Sequence, residues 1–480
     1  MLAFVYDTLN FTRKAFPRKT PWLFFCMVVI GFIGATEMVG VTSICRFWGG
    51  GEPLYKSLLH FFRVSNWSLN ALVVQWISFV LAQNLTIKMQ GRAVLLGDHT
   101  FVPKDGRKMP GVVSLRQNSE TQSKPSYFRG HCWGAIGLLI GSVYAPFCLP
   151  LILGIHLGTF HIGQAESAKK KPQTMGTKIV QMAIDTAFKH NLPSILVLDA
   201  FFPGSAVFNL AASVWSIELQ QPLVTLIIRG KKNCVAYFEA EKSQYKGRGR
   251  YPKYGDKVKL MELFDQLHLF KKARCNIYGR PEEILFACLD LLWKPTGGLI
   301  RFVLAITSRG PIILMCSDLK QDPIVAIKLY CLRPRIEVMF DMLKNLIGAF
   351  RYRFWSGKMP RHSRKPVKNK FLKKASPQNI KKVKKCWDGY ERFVMCGAIA
   401  LGILELIAYK FTELVWDQFN VYIRTKSRYI PSERTVKHVI TNLLTNIFRI
   451  SPKNGIMWLI KEQFRGRISR IATDSCSIIE

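Results

Sequence analysis

The rhythm of hydrophobic positions changes near residue 90. Before it, apolar residues recur at helical spacing. Glu52 to Arg63 sets Tyr55, Leu58, Leu59 and Phe62 on one face and Lys56, His60 and Arg63 on others. Gly49-Gly50-Gly51 just ahead is a turn signal. Residues 1–90 are therefore predicted to form a helical domain, compatible with a DNA-binding helix-turn-helix and equally with an ordinary helical bundle. Beyond residue 90 short apolar runs take over. Ala93–Leu96, Ser194–Leu198 and Pro222–Ile228 have the length and β-branched content of strands buried on both faces. Cys132 to Ile155 is interrupted by Pro146 and Pro150, so it reads as two strands, about Trp133–Ile140 and Leu149–Ile155. Met175 to His190 reads as a helix between strands. The order describes a mixed α/β core.

The second half is less regular. Arg229 to Lys259 is basic and loop-like, including Lys246-Gly247-Arg248-Gly249-Arg250. Strand-like runs return at Ile300–Ile306 and Ile312–Cys316, and Leu329 to Phe350 reads as one helix. Arg361 to Lys385 carries eleven Lys or Arg and no acid, the pattern of a flexible or nucleic-acid-binding segment. From 386 onward the pattern is mostly helical.

Charge narrows the class. With 69 Lys+Arg against 31 Asp+Glu, the formal net charge is +38, which predicts association with a polyanion: nucleic acid or an anionic membrane surface. Twelve cysteines are scattered with no Cys-x-x-Cys pair, which gives zinc knuckles and thioredoxin-like motifs no support. Cys26, Cys148, Cys288 and Cys316 lie in apolar runs, as reduced thiols do in a cytosolic setting. Three apolar runs keep a polybasic integral membrane protein as an alternative: Pro21 to Ala35, Cys132 to Ile155 and Gly397 to Ala408. The first is shorter than the roughly 20 residues a span needs, the second is broken by prolines, and the third contains Glu405. No small-residue cleavage site of a signal peptide is evident.

Three acids stand out by context. Asp98 and Asp199 each follow a buried-strand run, where a carboxylate is costly unless paired or bound to metal. Glu337 lies in a helical stretch in which Arg333, Glu337 and Lys344 fall within about 40° of one another at 100° per residue. That spacing also suits a plain surface ion-pair ladder. Carboxylates suit hard cations, and two Mg²⁺ ions roughly 3.5–4 Å apart can activate the nucleophile and stabilise the leaving oxygen in phosphodiester chemistry. Pro334 fits only a first helical turn, so Arg333 is expected at the N-cap with Tyr330 just outside.

Tyr330, Arg333, Glu337 and Lys344, at this spacing, match the Tyr-Arg-Glu-Lys signature of a large branch of insertion-sequence DDE transposases, which the chain resembles over roughly 20–350. Gly97-Asp98-His99-Thr100, followed by Lys104 and Gly106, resembles that family's first-Asp segment, and Val197-Leu198-Asp199-Ala200-Phe201-Phe202 its second. The resemblance implies an RNase H-like core over 91–229, an inserted β-rich segment over 230–325, and a Glu-bearing helix at 326–355 that completes the core. A basic linker (356–385) and a helical C-terminal region (386–480) would follow. It implies Mg²⁺, or Mn²⁺, on Asp98, Asp199 and Glu337, with Tyr330, Arg333 and Lys344 on DNA near the cleaved end. Expected partners are double-stranded DNA, both terminal inverted repeats and target, and a second copy of the chain in the DNA complex. A bacterial, cytoplasmic, DNA-associated setting without membrane goes with it. Some relatives place an insertion-domain Trp against a flipped base. Trp293 is the Trp in this region, though a buried core role suits it better. Pro334 departs from the bulky helix former common in relatives. A catalytically silent, DNA-binding descendant is a third reading.

Overall fold

The computed structural model describes residues 1–116, 127–156, 174–218, 220–241, 251–359, 361, 376–422 and 429–450. It is a mixed α/β protein. Five helices open the chain: α1 (Leu2–Phe11), α2 (Lys19–Gly34), α3 (Val41–Phe47), α4 (Glu52–Arg63) and α5 (Leu69–Leu81). The N-cap of α5 is Ser68, whose hydroxyl accepts from the Ala71 amide. In α4 the buried face is Leu54, Leu58, Phe61 and Phe62, one residue round from the expected stripe, and Tyr55 is exposed. Arg63 turns inward, its guanidinium 4.2 Å from the Phe354 ring. Lys56 instead pairs on the surface with Glu52 at 2.9 Å.

Next come β1 (Lys88–Met89), β2 (Arg92–Pro103), β3 (Val113–Arg116), β4 (Tyr127–Ile140) and β5 (Phe147–Ile155). They are followed by α6 (Met175–Lys189), β6 (Ser194–Leu198), α7 (Ser205–Ala212), a small hairpin of β7 (Trp215–Ser216) and β8 (Gln221–Pro222), and β9 (Val224–Arg229). β4 runs antiparallel to β2 and β5 to β4, while β6 runs parallel to β2 and β9 to β6. The order β5-β4-β2-β6-β9 thus forms one end of a 13-stranded sheet. Ser194–Leu198 is buried at every position, which is why it reads as an unbroken apolar run.

The inserted segment does not stand apart. β10 (Val235–Glu239), β11 (Tyr254–Lys259), β12 (Lys271–Ile277), β13 (Arg280–Trp293), β14 (Gly298–Thr307) and β15 (Gly310–Cys316) continue the same sheet, because β15 pairs antiparallel with β9. Arg229 to Lys259, expected as loop, holds two strands, β10 and β11. The stretch Lys246 to Arg250 lies outside the described residues. Trp293 is buried against Phe208, ring centroids 5.4 Å apart, as a core residue.

Two helices return across the sheet: α8 (Pro323–Leu332) and α9 (Arg335–Asp341), the latter running into a π-turn at Met342–Leu346. The expected single helix from Leu329 to Phe350 is therefore broken. Pro334 has no amide to continue the ladder of α8, and Gly348 at φ +69° lies just beyond the π-turn. α6 packs on one face of the sheet, and α9 and α10 (Pro377–Lys410) on the other. α11 (Thr412–Asp417) and α12 (Glu433–Ile450) follow.

α10 is long and apolar enough to cross a membrane, yet 89% of its apolar window is buried, against β5, α2, α4 and α12. Part of the expected basic linker is its first turns: Lys381, Lys382, Lys384 and Lys385 are exposed on α10. Residues 362–375 of that segment lie outside the described residues. Every cysteine among the described residues is free, and Cys288 is exposed rather than packed in the core.

Candidate active site

β2 and β6 are parallel neighbours with Leu96 opposite Val197. Two residues further along each chain stand Asp98, still in β2, and Asp199, the first residue past β6. The register therefore puts both carboxylates at the same edge. Alternation along β2 turns Gly97 toward α6 and Asp98 toward the opposite face. A Cβ at Gly97 would sit 2.7 Å from Ile179 and 2.8 Å from Leu198, so only glycine lets α6 close down here.

Arg333, between α8 and α9, supplies the link. Its Nη2 donates to Asp98 Oδ2 and, at 3.5 Å, to Asp199 Oδ2, while its Nη1 donates to Glu337 Oε1 one turn later. Side-chain exposure is 12% for Arg333, 14% for Asp98, 31% for Asp199 and 58% for Glu337. The Arg333–Glu337 pair expected of a surface ladder does form, but its arginine is turned inward onto two strand-end carboxylates. Backbone amides complete the aspartates: His99 N donates to Asp98 Oδ1 at 2.7 Å and Phe201 N to Asp199 Oδ1 at 2.8 Å.

Burial pushes the Asp98 carboxyl up to about 7; Arg333 opposes this, and the like charges of Asp199 and Glu337 add to it. Burial acts to lower Arg333, but the surrounding carboxylates, Asp98 first, leave it raised and firmly charged. Among the described residues no group of three His, Cys, Asp or Glu stands ready to hold a metal ion. Geometrically, Arg333 occupies the space the three carboxylates enclose. The donor set itself, three carboxylates, suits a hard cation.

Tyr330 and Lys344 fall differently from expectation. Tyr330 is inside α8, three residues before the C-cap Arg333, and Pro334 rather than Arg333 precedes α9. Tyr330 is half-buried, its hydroxyl raised by burial and bonded to Arg229. Lys344 lies on the π-turn, half-buried, so the 100° spacing that aligned it with Glu337 does not hold through that turn.

Two neighbourhoods were not legible as sites. Behind Asp98, His99 Nε2 meets His156 Nδ1 at 2.8 Å, and His99 stacks on Phe202 with centroids 5.4 Å apart. Burial, then the charge of Lys178, holds His156 down to about 3, so this pair is neutral. On the other side of Arg333 a cleft opens between α8 and the inserted hairpins, lined by Arg229, Tyr278, Arg309, Tyr330 and Arg333 among others. Its residues come from four separate stretches of chain, and no spacing rule connects them. No protein-family model matches the chain, and no curated protein matches it either.

Proposed function

We propose that the chain is a DNA transposase with an RNase H-like core, catalysing metal-dependent cleavage at transposon ends and strand transfer into target DNA. The observation that carries this reading is the meeting of Asp98, Asp199 and Glu337 around one arginine, from three blocks more than 100 residues apart in sequence. Supporting it is the element order: the first acid on a central strand, the second at the end of its parallel neighbour, and the third on a helix reached after an insertion. The net charge of +38 supports a polyanionic substrate.

Asp98, Asp199 and Glu337 would hold Mg²⁺ or Mn²⁺. When bound, such ions supply an activated oxygen nucleophile and stabilise the leaving oxygen of a phosphodiester. The protein's own part is positioning. Asp98 and Asp199 are fixed by the strand register and by the amides of His99 and Phe201. Glu337 is the exposed, adjustable member, on the first turn of a short helix. Arg333 holds the carboxylates together and has to leave them for cations to enter. Its guanidinium is then available to a DNA phosphate, for which its planar fork is suited. Tyr330 and Lys344 flank it as DNA contacts, with a second copy of the chain serving the other transposon end.

The test uses the full chain with DNA carrying the repeats that flank its gene. Cleavage at the repeat ends is expected with Mg²⁺ and not with EDTA, and D98N, D199N and E337Q should each abolish it. Cleavage retained in all three variants would overturn the reading.

A further inference from the structure

The cleft beside Arg333 is built for an anion. Arg229 ends β9, Arg309 sits in the turn between β14 and β15, and Arg333 joins α8 to α9, so three guanidiniums reach one opening from three elements. No carboxylate lines it among the described residues. Glu282, beside the hairpin tip, is engaged by Arg280 at 3.0 Å and by the Ser308 amide at 3.2 Å and hydroxyl at 2.6 Å. Arg309 lies 3.8 Å from the centroid of the Tyr278 ring, which holds its planar group without consuming its charge. Tyr278 is itself locked, bonded to Cys331 of α8 and to Thr307, with its backbone at φ +53° in the tight turn before β13. Arg229 is held by the Tyr330 hydroxyl. Arg333 keeps a buried Nε with no hydrogen-bond partner.

Arg229 and Arg309 are therefore pre-positioned by aromatic partners rather than neutralised by acids, while Arg333 is shared with the three carboxylates. Arg301, by contrast, is paired with Asp290 at 2.8 Å. We propose that this cleft binds a phosphate group of a DNA strand, with Arg229 and Arg309 as its dedicated contacts, so that the inserted β-segment grips the strand next to the acidic cluster. The choice of DNA over a free phosphate rests on the reading of that cluster as a DNA-cleaving centre. The anion site itself does not.

Phenylglyoxal modification of the full chain, read by mass spectrometry at each arginine, tests it in EDTA so that no cleavage intervenes. A 40-base-pair duplex should protect Arg229 and Arg309 at least 5-fold, and more than it protects Arg274 on exposed β12. Inorganic phosphate at equal phosphate concentration should protect them less. R309A, at an exposed turn, should keep the fold and weaken duplex binding, with the slope of log affinity against log salt smaller by about one. Equal protection at Arg274, or unchanged affinity and slope in R309A, would overturn the proposal. Protection by inorganic phosphate equal to that by the duplex would overturn the DNA assignment. The same protection in D98N would stand even if cleavage were never found, which separates this inference from the proposed reaction.

Discussion

Asp98→Asn isolates the cost of holding a carboxylate at the end of β2. Burial raises Asp98 from an ordinary 3.8 to about 7. Between those values the folded chain binds a proton that the unfolded chain releases, so stability falls as pH rises through the window and is level above 7. From pH 5 to pH 8 the titration spans about two units, and at about 1.36 kcal/mol per unit the wild type should lose roughly 2–3 kcal/mol that the asparagine variant does not. Asp98 has 14% of its side chain exposed, so solvent screening removes little of this. The assay is urea unfolding of both proteins in EDTA, followed by tryptophan fluorescence, at pH 5 and pH 8. With a slope of about 3 kcal/mol/M, D98N should gain roughly 0.7–1 M in midpoint over wild type between the two pH values. Comparing the two proteins cancels the titrating groups that are not coupled to Asp98. Mg²⁺ at pH 8 should raise the wild-type midpoint and leave D98N unmoved, since a ligand stabilises only the state that binds it. Parallel profiles in EDTA would refute the burial argument, whatever D98N does to cleavage.

Other substitutions probe separate parts of the scaffold. E337Q and D199N should lower Mg²⁺-dependent cleavage by more than the 10–100-fold typical of outer-shell partners, with DNA affinity in gel-shift titration kept near wild type. Gly97→Ala should cost about 1–3 kcal/mol, read as a lowered thermal midpoint, because its methyl would overlap Ile179 and Leu198 at 2.7 and 2.8 Å. Lys437→Met should cost about 2 kcal/mol, since its ammonium caps α2 through the carbonyls of Phe32 at 2.8 Å, Ile33 at 2.7 Å and Ala35 at 3.0 Å. Burial lowers that amine to about 8, so wild-type stability should also rise between pH 8 and 10.5, a slope absent from the methionine variant.

Strands buried on both faces announce themselves as unbroken apolar runs, and this is why Ser194–Leu198 and Ile312–Cys316 were readable to the residue or nearly so. Pro146, in the turn that follows Gly141, likewise divided Cys132 to Ile155 into β4 and β5, whereas Pro150 lies within β5 opposite Gly137 at a register shift. Such features are local, decided by burial pattern and by the backbone needs of single residues. The three acids could be singled out as unusual, but their meeting could not be read from periodicity, because it depends on the register of β2 against β6 and on a helix 130 residues further along.

Where local rules were pressed further they failed for nameable causes. The π-turn broke the uniform 100° spacing carried from Arg333 to Lys344, and Pro334 separated α8 from α9. The inserted segment joins the core sheet through β15 and β9, a pairing of residues 85 to 89 positions apart that neither strand's composition signals. Hydropathy alone left Gly397 to Ala408 open between core and membrane, because lipid and protein interior are equally apolar solvents for a side chain. Packing of α10 between the sheet and the N-terminal helices accounts for its apolar surface. The arginine cleft had no linear trace at all. Composition and pattern fix which residues must leave water, and only the closed chain fixes which of them meet, since side-chain encounters between distant segments are set by sheet register and helix packing.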